Sequence, residues 1–110
     1  MIYLDNNATT QLHPEALEAM MPFLTDAYAN PSSGYASSRR VKKAVDLARD
    51  QVASLLGAHP EEIIFTSGGT EADNTAIASA TACLPQKKHL VASTPEHPAV
   101  IQFFEMLEQE

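Results

Sequence analysis

The chain has 110 residues, of which 45% are hydrophobic and 19% charged, a composition typical of one folded domain and not of a disordered chain. Its formal net charge of -7 and isoelectric point near 4.9 argue against nucleic acid or an anionic membrane as a general partner. Cys83 is the single cysteine, which excludes an internal disulfide and is typical of a reducing compartment. The first residues lack a signal-peptide pattern and no apolar run is long enough to span a membrane, so we expect a cytoplasmic protein.

The chain begins with a short predicted strand, a polar segment and an amphipathic helix. Residues 2–4 are apolar enough for a strand, and residues 5–10 are too rich in turn formers for regular structure. Pro14 then starts a helix. The apolar residues with helical spacing in it are Leu17, Met20, Met21 and Leu24.

A long helix follows a loop that contains an Asn-Pro pair. It is predicted from residue 37 or 38 to residue 56, with Gly57 as its natural end. Its apolar stripe consists of Val41, Ala44, Val45, Ala48, Val52, Leu55 and Leu56. We expect the basic side chains of residues 39–43 on the solvated side of this helix.

A strand, a glycine loop and a helix start follow one another in the middle of the chain. Residues 63–65 predict a buried strand, residues 67–69 break it, and Thr70 is a suitable helix N-cap. Such a helix start leaves backbone N–H groups free and its glycines permit close approach, so the loop could receive a phosphate. A capped helix after a tight turn explains the same residues, and Glu71 and Asp73 oppose an anion electrostatically. The spacing alone leaves both interpretations open.

A second predicted strand at residues 89–92 precedes a loop and a helix that begins at Pro98. Alternating strands and helices predict an α/β fold with parallel strands. The loops after the two strands then emerge at one edge of the sheet, where open α/β sheets bind their ligands. This placement favours His97 as the histidine nearest a ligand. The other histidines are His13, His59 and His89.

The end of the sequence suggests a larger protein. The last helix has no capping glycine or basic final turn, and two core strands are few for a doubly wound sheet. We therefore predict that residues 1–110 form a single partial domain with part of a three-layer α/β/α architecture.

Four motifs in register over nearly the whole chain resemble one family. They are residues 3–10 (Tyr-Leu-Asp-Asn-Asn-Ala-Thr-Thr), 30–33 (Asn-Pro-Ser-Ser), 65–74 (Phe-Thr-Ser-Gly-Gly-Thr-Glu-Ala-Asp-Asn) and 96–100 (Glu-His-Pro-Ala-Val). Together they resemble the N-terminal part of cysteine desulfurases of the NifS-like and iron–sulfur-cluster types, which belong to the class V aminotransferase group of pyridoxal-phosphate enzymes. The resemblance implies the first part of a fold-type-I large domain and makes phosphate binding the leading interpretation of the glycine loop.

The resemblance also implies residue roles. Gly69 and Thr70 would hold the phosphate of pyridoxal 5′-phosphate, while His97 would stack on its ring and assist proton transfer as the catalytic residue of this segment. The residues implied beside the substrate pocket are Asn7, Ala8 and Thr9. The implied reaction converts L-cysteine to L-alanine and passes sulfur, through an enzyme persulfide, to an acceptor or scaffold protein for iron–sulfur clusters. The family implies a homodimer and no metal ligands.

Other residues that this chemistry needs are expected beyond residue 110, namely the Schiff-base lysine and the persulfide-forming cysteine. The lysines interpreted as surface residues are Lys42, Lys43, Lys87 and Lys88. We interpret Cys83 as a small packing residue. The 110-residue chain alone is therefore expected to be inactive.

Two alternatives remain. Selenocysteine lyase, or another class V enzyme acting on a small amino acid, would share much of this pattern, although residues 6–10 favour a desulfurase. The other alternative is a non-catalytic, self-associating module whose contacts are the helix at residues 38–56 and the last helix.

Overall fold

The computed structural model describes residues 2–109 and places four α-helices and one short 3₁₀ turn in that range. The helices are α1 (Pro14–Thr25), α2 (Ala36–Leu56), α3 (Gly69–Cys83) and α4 (Pro98–Glu108), and the 3₁₀ turn is Pro60–Glu62. The chain divides after Ile63 into two compact units. The prediction of one partial domain over residues 1–110 stays a prediction. None of the helices described is both long and apolar enough to cross a membrane.

Helix α1 begins at Pro14 as predicted, because the fixed φ of proline suits the first helical position and its missing N–H is not needed there. Its apolar stripe is not buried: Leu24, for example, is 65% exposed. Phe23 lies under the guanidinium of Arg40, 5.9 Å from the ring centroid. The basic side chains of residues 39–43 are nevertheless exposed, as predicted, and Lys42 forms an exposed ion pair with Asp46.

Helix α2 ends at Gly57 as predicted. This glycine has φ 66° and ψ 28°, in the left-handed region that favours residues without Cβ. The N–H of Gly57 donates to the Ser54 carbonyl and the N–H of Ala58 to the Ala53 carbonyl, which completes a Schellman motif. The reversed chain then packs on α2 through the 3₁₀ turn, and the Arg49 side chain donates a hydrogen bond to the Ile63 carbonyl.

Burial on α2 agrees with the predicted stripe except in its last turn. The half-buried residues of the stripe are Val41, Ala44, Val45, Ala48 and Val52. Leu55 and Leu56 were expected on this stripe but are 84% and 68% exposed. The last turn instead directs Ala53 inward, at 1% exposure, beneath the chain reversal that follows Gly57.

The predicted strands are not formed: no residue between 2 and 109 takes part in a β-ladder. The segments at residues 63–65 and 89–92 are non-helical, and Ile64 and Val91 are 72% and 82% exposed, so the predicted burial is wrong. An apolar run becomes a buried strand only when its backbone groups pair with neighbouring strands and its faces are covered. Neither unit supplies those neighbours among its described residues.

In the C-terminal unit α3 packs against α4. No residue of α3, with its small side chains, is buried, whereas Ala99 of α4 is buried. Cys83, the last residue of α3, is exposed, so its interpretation as a packing residue is wrong.

Candidate functional site

The glycine loop leads into α3, which begins at Gly69 with Gly68 as its N-cap residue. The prediction that Thr70 is the N-cap is therefore wrong, and Thr70 is the second residue of the helix. The first hydrogen bond of the helix runs from the Ala72 N–H to the Gly68 carbonyl, at 3.1 Å. As at every helix start, the N–H groups of the residues before it, Gly69 and Thr70 among them, have no partner within the helix.

Glu71 binds backward to the loop. Its Oε2 accepts hydrogen bonds from the N–H of Ser67 at 2.7 Å and from the hydroxyl of Ser67 at 2.6 Å. These two bonds, that of the hydroxyl first, lower the pKa of Glu71 from its ordinary value of 4.5. Because the pKa is lowered in the folded chain, the stabilisation is present above the ordinary value and is lost as the pH falls through the lowered pKa.

This role of Glu71 was not predicted from the sequence, in which Glu71 was interpreted only as a charge opposed to an anion. The available signal was the spacing of a serine and a glutamate four residues apart across the helix start, one residue longer than a capping box.

The space beside the helix start is open. A Cβ atom at either Gly68 or Gly69 would meet no other atom within 4 Å, and Thr70 is exposed. Two backbone N–H groups and the hydroxyl of Thr70 are thus donors at an exposed helix start, the positive end of a helix dipole, where a phosphate can bind. This donor set fits the phosphate group of pyridoxal phosphate. Over residues 2–109, no group of three or more His, Cys, Asp or Glu side chains could hold a metal ion.

His97 is the N-cap residue of α4, a role that the sequence analysis did not predict. Its Nδ1 accepts a hydrogen bond from the Ala99 N–H at 3.1 Å, and its carbonyl accepts from the Val100 N–H at 2.9 Å. Since Nδ1 is the acceptor, the neutral ring carries its proton on Nε2. The preceding loop is closed by a hydrogen bond of 2.5 Å between the Ser93 hydroxyl and Glu96 Oε1.

One cavity of the C-terminal unit is lined by residues of both α3 and α4. Asp73, one turn after Thr70, and Glu96, next to His97, line this cavity of about 290 Å³. The other residues that line it are Ala76, Ile77, Val91, Ala92, Val100 and Phe104. Gly69, Thr70 and His97 do not line this cavity, so their predicted proximity at one edge of a sheet stays a prediction.

Asn7, Ala8 and Thr9 belong to the N-terminal unit, in an exposed turn. The Tyr3 hydroxyl lies 2.8 Å from the Asp5 carbonyl and 3.1 Å from the Thr9 carbonyl, so its proton is shared across the turn. The Ala8 N–H also donates to the Asp5 carbonyl, at 3.1 Å. Tyr3, assigned to a strand from the sequence, is therefore the side chain that shapes this turn.

Residues 2–110 match the family model described as aminotransferase class-V. Over 110 residues the chain is 53% identical to a cysteine desulfurase of Trichormus azollae, which it matches along 100% of its own length. It is 46% identical to the cysteine desulfurase NifS of Azotobacter vinelandii, along 99% of its length. The chain spans only 28% and 27% of the lengths of these two relatives.

Two solved structures share the path of the chain. One is a NifS-like protein with a TM-score of 0.85 and 35% identity. The match covers 98% of this chain and 30% of the NifS-like protein. The other is SspA in complex with cysteine, with a TM-score of 0.87 and 36% identity, covering 97% of this chain and 31% of its own. These neighbours confirm the predicted α/β class and the first part of a fold-type-I large domain, although the strands themselves are not formed. The chain belongs to the class-V aminotransferase family.

Proposed function

We propose that this chain is the cofactor-phosphate-binding part of a cysteine desulfurase, which converts L-cysteine to L-alanine and passes the sulfur to an acceptor or scaffold protein in iron–sulfur cluster assembly. The observation that carries the proposal is the start of α3, where the Gly69 and Thr70 donors face open space. Relatives named cysteine desulfurase match the whole chain, and one structural neighbour is a complex with cysteine.

Each residue contributes a separate function. Gly69 and Thr70 bind the phosphate and so anchor pyridoxal phosphate, which supplies an electron sink when bound. His97 is held by its Nδ1 bond to Ala99, which leaves the Nε2 edge of the ring to carry a proton beside the cofactor. The residues that we propose beside the substrate are Asn7, Ala8 and Thr9.

We further propose that the protein is cytoplasmic and forms a homodimer. The lone Cys83 suits a reducing compartment. Two neighbouring leucines in the last turn of α2, Leu55 and Leu56, are 84% and 68% exposed and offer apolar area to a second copy. Light scattering over a concentration series should show a mass above that of the monomer, and a monomeric mass at every concentration would contradict the proposal.

The desulfurase activity is tested in a chimeric protein, in which this chain replaces the corresponding part of a relative. Residues 1–110 would replace the matching N-terminal part of Azotobacter vinelandii NifS, with which they are 46% identical. We expect the chimera to retain pyridoxal phosphate, seen by visible absorbance, and to form alanine from L-cysteine, whereas the unattached chain forms none. Thr70→Ala should weaken cofactor retention, and Thr75→Ala, an exposed threonine later in α3, is the matched control.

A folded chimera that forms no alanine, beside an active parent NifS, would contradict the assignment of this chain to a desulfurase. Equal cofactor retention in Thr70→Ala and Thr75→Ala would contradict the phosphate role of the α3 start.

A further inference from the structure

We infer that Glu71 is a positioning residue of the phosphate-binding loop, an inference that rests on the proposed function. By holding both hydrogen-bond donors of Ser67, Glu71 fixes the loop in the conformation that leaves the donors of Gly69 and Thr70 open to the phosphate. It acts through the loop backbone and does not itself contact the ligand.

The contacts show how the loop is fixed. One carboxylate oxygen of Glu71 binds the Ser67 N–H and hydroxyl at 2.7 and 2.6 Å, which ties the residue before the N-cap to the first turn of α3. The Thr66 hydroxyl also donates to the Gly68 carbonyl, at 3.2 Å. Gly68 lies within both contacts and has an extended backbone, with φ 171° and ψ 179°. Without these contacts the glycine would have more conformational freedom to lose on binding.

The same contacts assign the donors of the loop to separate tasks. The Ser67 donors are taken up inside the chain, so an incoming anion meets the donors of Gly69 and Thr70 instead. A preorganised set of donors binds an anion more tightly than the same donors on a mobile loop, because less entropy is lost.

The charge of Glu71 works against this role, and the two effects can be separated. A carboxylate near a bound phosphate repels it, although two hydrogen bonds and the helix dipole offset part of that charge. Glutamine keeps an acceptor oxygen at the same position without the charge, whereas alanine removes both. If Glu71 acted only through its charge, both substitutions would tighten phosphate binding.

The experiment uses the full 110-residue chain and two readouts, the affinities for inorganic phosphate and pyridoxal phosphate and the hydrogen exchange of the Ser67 amide. In Glu71→Ala we expect exchange at Ser67 to accelerate and both affinities to fall about tenfold, which corresponds to the loss of loop order. In Glu71→Gln we expect affinities within about threefold of the wild type, because the acceptor is restored. Asp73→Ala removes a carboxylate from the same helix and is the control for a general charge effect.

Three results would overturn the inference. One is a phosphate affinity of Glu71→Ala that equals or exceeds the affinity of the wild type. Another is hydrogen exchange at the Ser67 amide that is unchanged in Glu71→Ala. An equal loss in Asp73→Ala would show that the effect is not specific to the contact between Glu71 and Ser67. If wild-type protein binds neither ligand, the proposed phosphate-binding function itself fails. If wild-type protein binds both ligands and Glu71→Ala binds them equally well, only the inference about Glu71 fails, so the two failures are distinguishable.

Circular dichroism shows whether Glu71→Ala retains its helices. If it does not, Ser67→Ala carries the test, because it removes one of the two bonds and keeps the Glu71 charge. We expect its affinities to fall about threefold, and unchanged affinities would overturn the inference.

Discussion

Helices α3 and α4 both begin at predicted site residues, but they use their first N–H groups differently. In α4, Pro98 has no N–H and the Ala99 N–H is bound by the His97 ring at 3.1 Å. In α3, the side-chain bonds of Glu71 go backward to Ser67, and the donors of Gly69 and Thr70 have no partner within the helix. One helix start therefore fixes the orientation of a ring, and the other presents donors to a ligand.

The largest expected effect on phosphate affinity comes from removing a free N–H donor from the start of α3, as proline does at the start of α4. Gly69→Pro removes one N–H at the first helical position, where proline is well tolerated, and Gly69→Ala is the matched control that keeps this N–H. Hydrogen bonds to charged groups contribute about 1.5–3 kcal/mol, so we expect phosphate to bind at least about tenfold more weakly to the proline variant than to the alanine variant. Calorimetric titration measures the difference, and equal affinities would show that the Gly69 donor does not face the ligand.

The capping role of His97 is tested by removing its hydrogen bond at the start of α4. His97→Ala removes the acceptor for the Ala99 N–H and should lower the free energy of unfolding by about 1 kcal/mol, whereas asparagine, a good N-cap residue, should restore it. His13 also precedes a proline at a helix start but makes no side-chain cap, so His13→Ala should change stability little. Urea unfolding of the four proteins provides the measurement. A cost for His13→Ala as large as that for His97→Ala would contradict the comparison.

An effect of about the same size and of opposite sign is expected near the start of α2, where a polar side chain neither caps the helix nor faces solvent. Ser38 is fully buried and its hydroxyl has no hydrogen-bond partner, whereas Ser37 beside it is exposed. Because an unsatisfied buried hydroxyl is costly, Ser38→Ala should raise the free energy of unfolding by about 1 kcal/mol. Ser37→Ala, with the same change in helix propensity, should have a smaller effect. Destabilisation by Ser38→Ala in urea unfolding would show that the hydroxyl contributes to folding.

The sequence predicted those parts of the fold that single residues determine. Pro14 and Gly57 set one end each of α1 and α2, because each restricts or permits a specific backbone conformation. The strands at residues 63–65 and 89–92 could not be judged in the same way, since a strand depends on partners that a local pattern does not specify. The apolar stripe of α1 was recognised from its spacing, but its burial likewise depends on partners that a local pattern does not specify.

The candidate site was predicted by position but not by geometry. The motifs identified Gly69, Thr70 and His97, and the structure places these residues at the starts of α3 and α4. The pattern did not show that Glu71 binds Ser67 or that the His97 ring caps α4, because several side chains near a helix start can compete for the same donors. Thr70 was assigned as the N-cap on propensity, whereas Gly68 occupies that position.

The central claim, that the α3 start is a phosphate-binding site, is tested most directly by titrating the chain with pyridoxal phosphate, following visible absorbance, and repeating the titration with inorganic phosphate as competitor. We predict saturable binding that phosphate displaces and that Thr70→Ala weakens strongly, because the ligand then loses the hydroxyl beside the Gly69 and Thr70 N–H groups. Absence of saturable binding, or binding that phosphate does not displace, would contradict the claim and leave the glycine loop as the start of a helix.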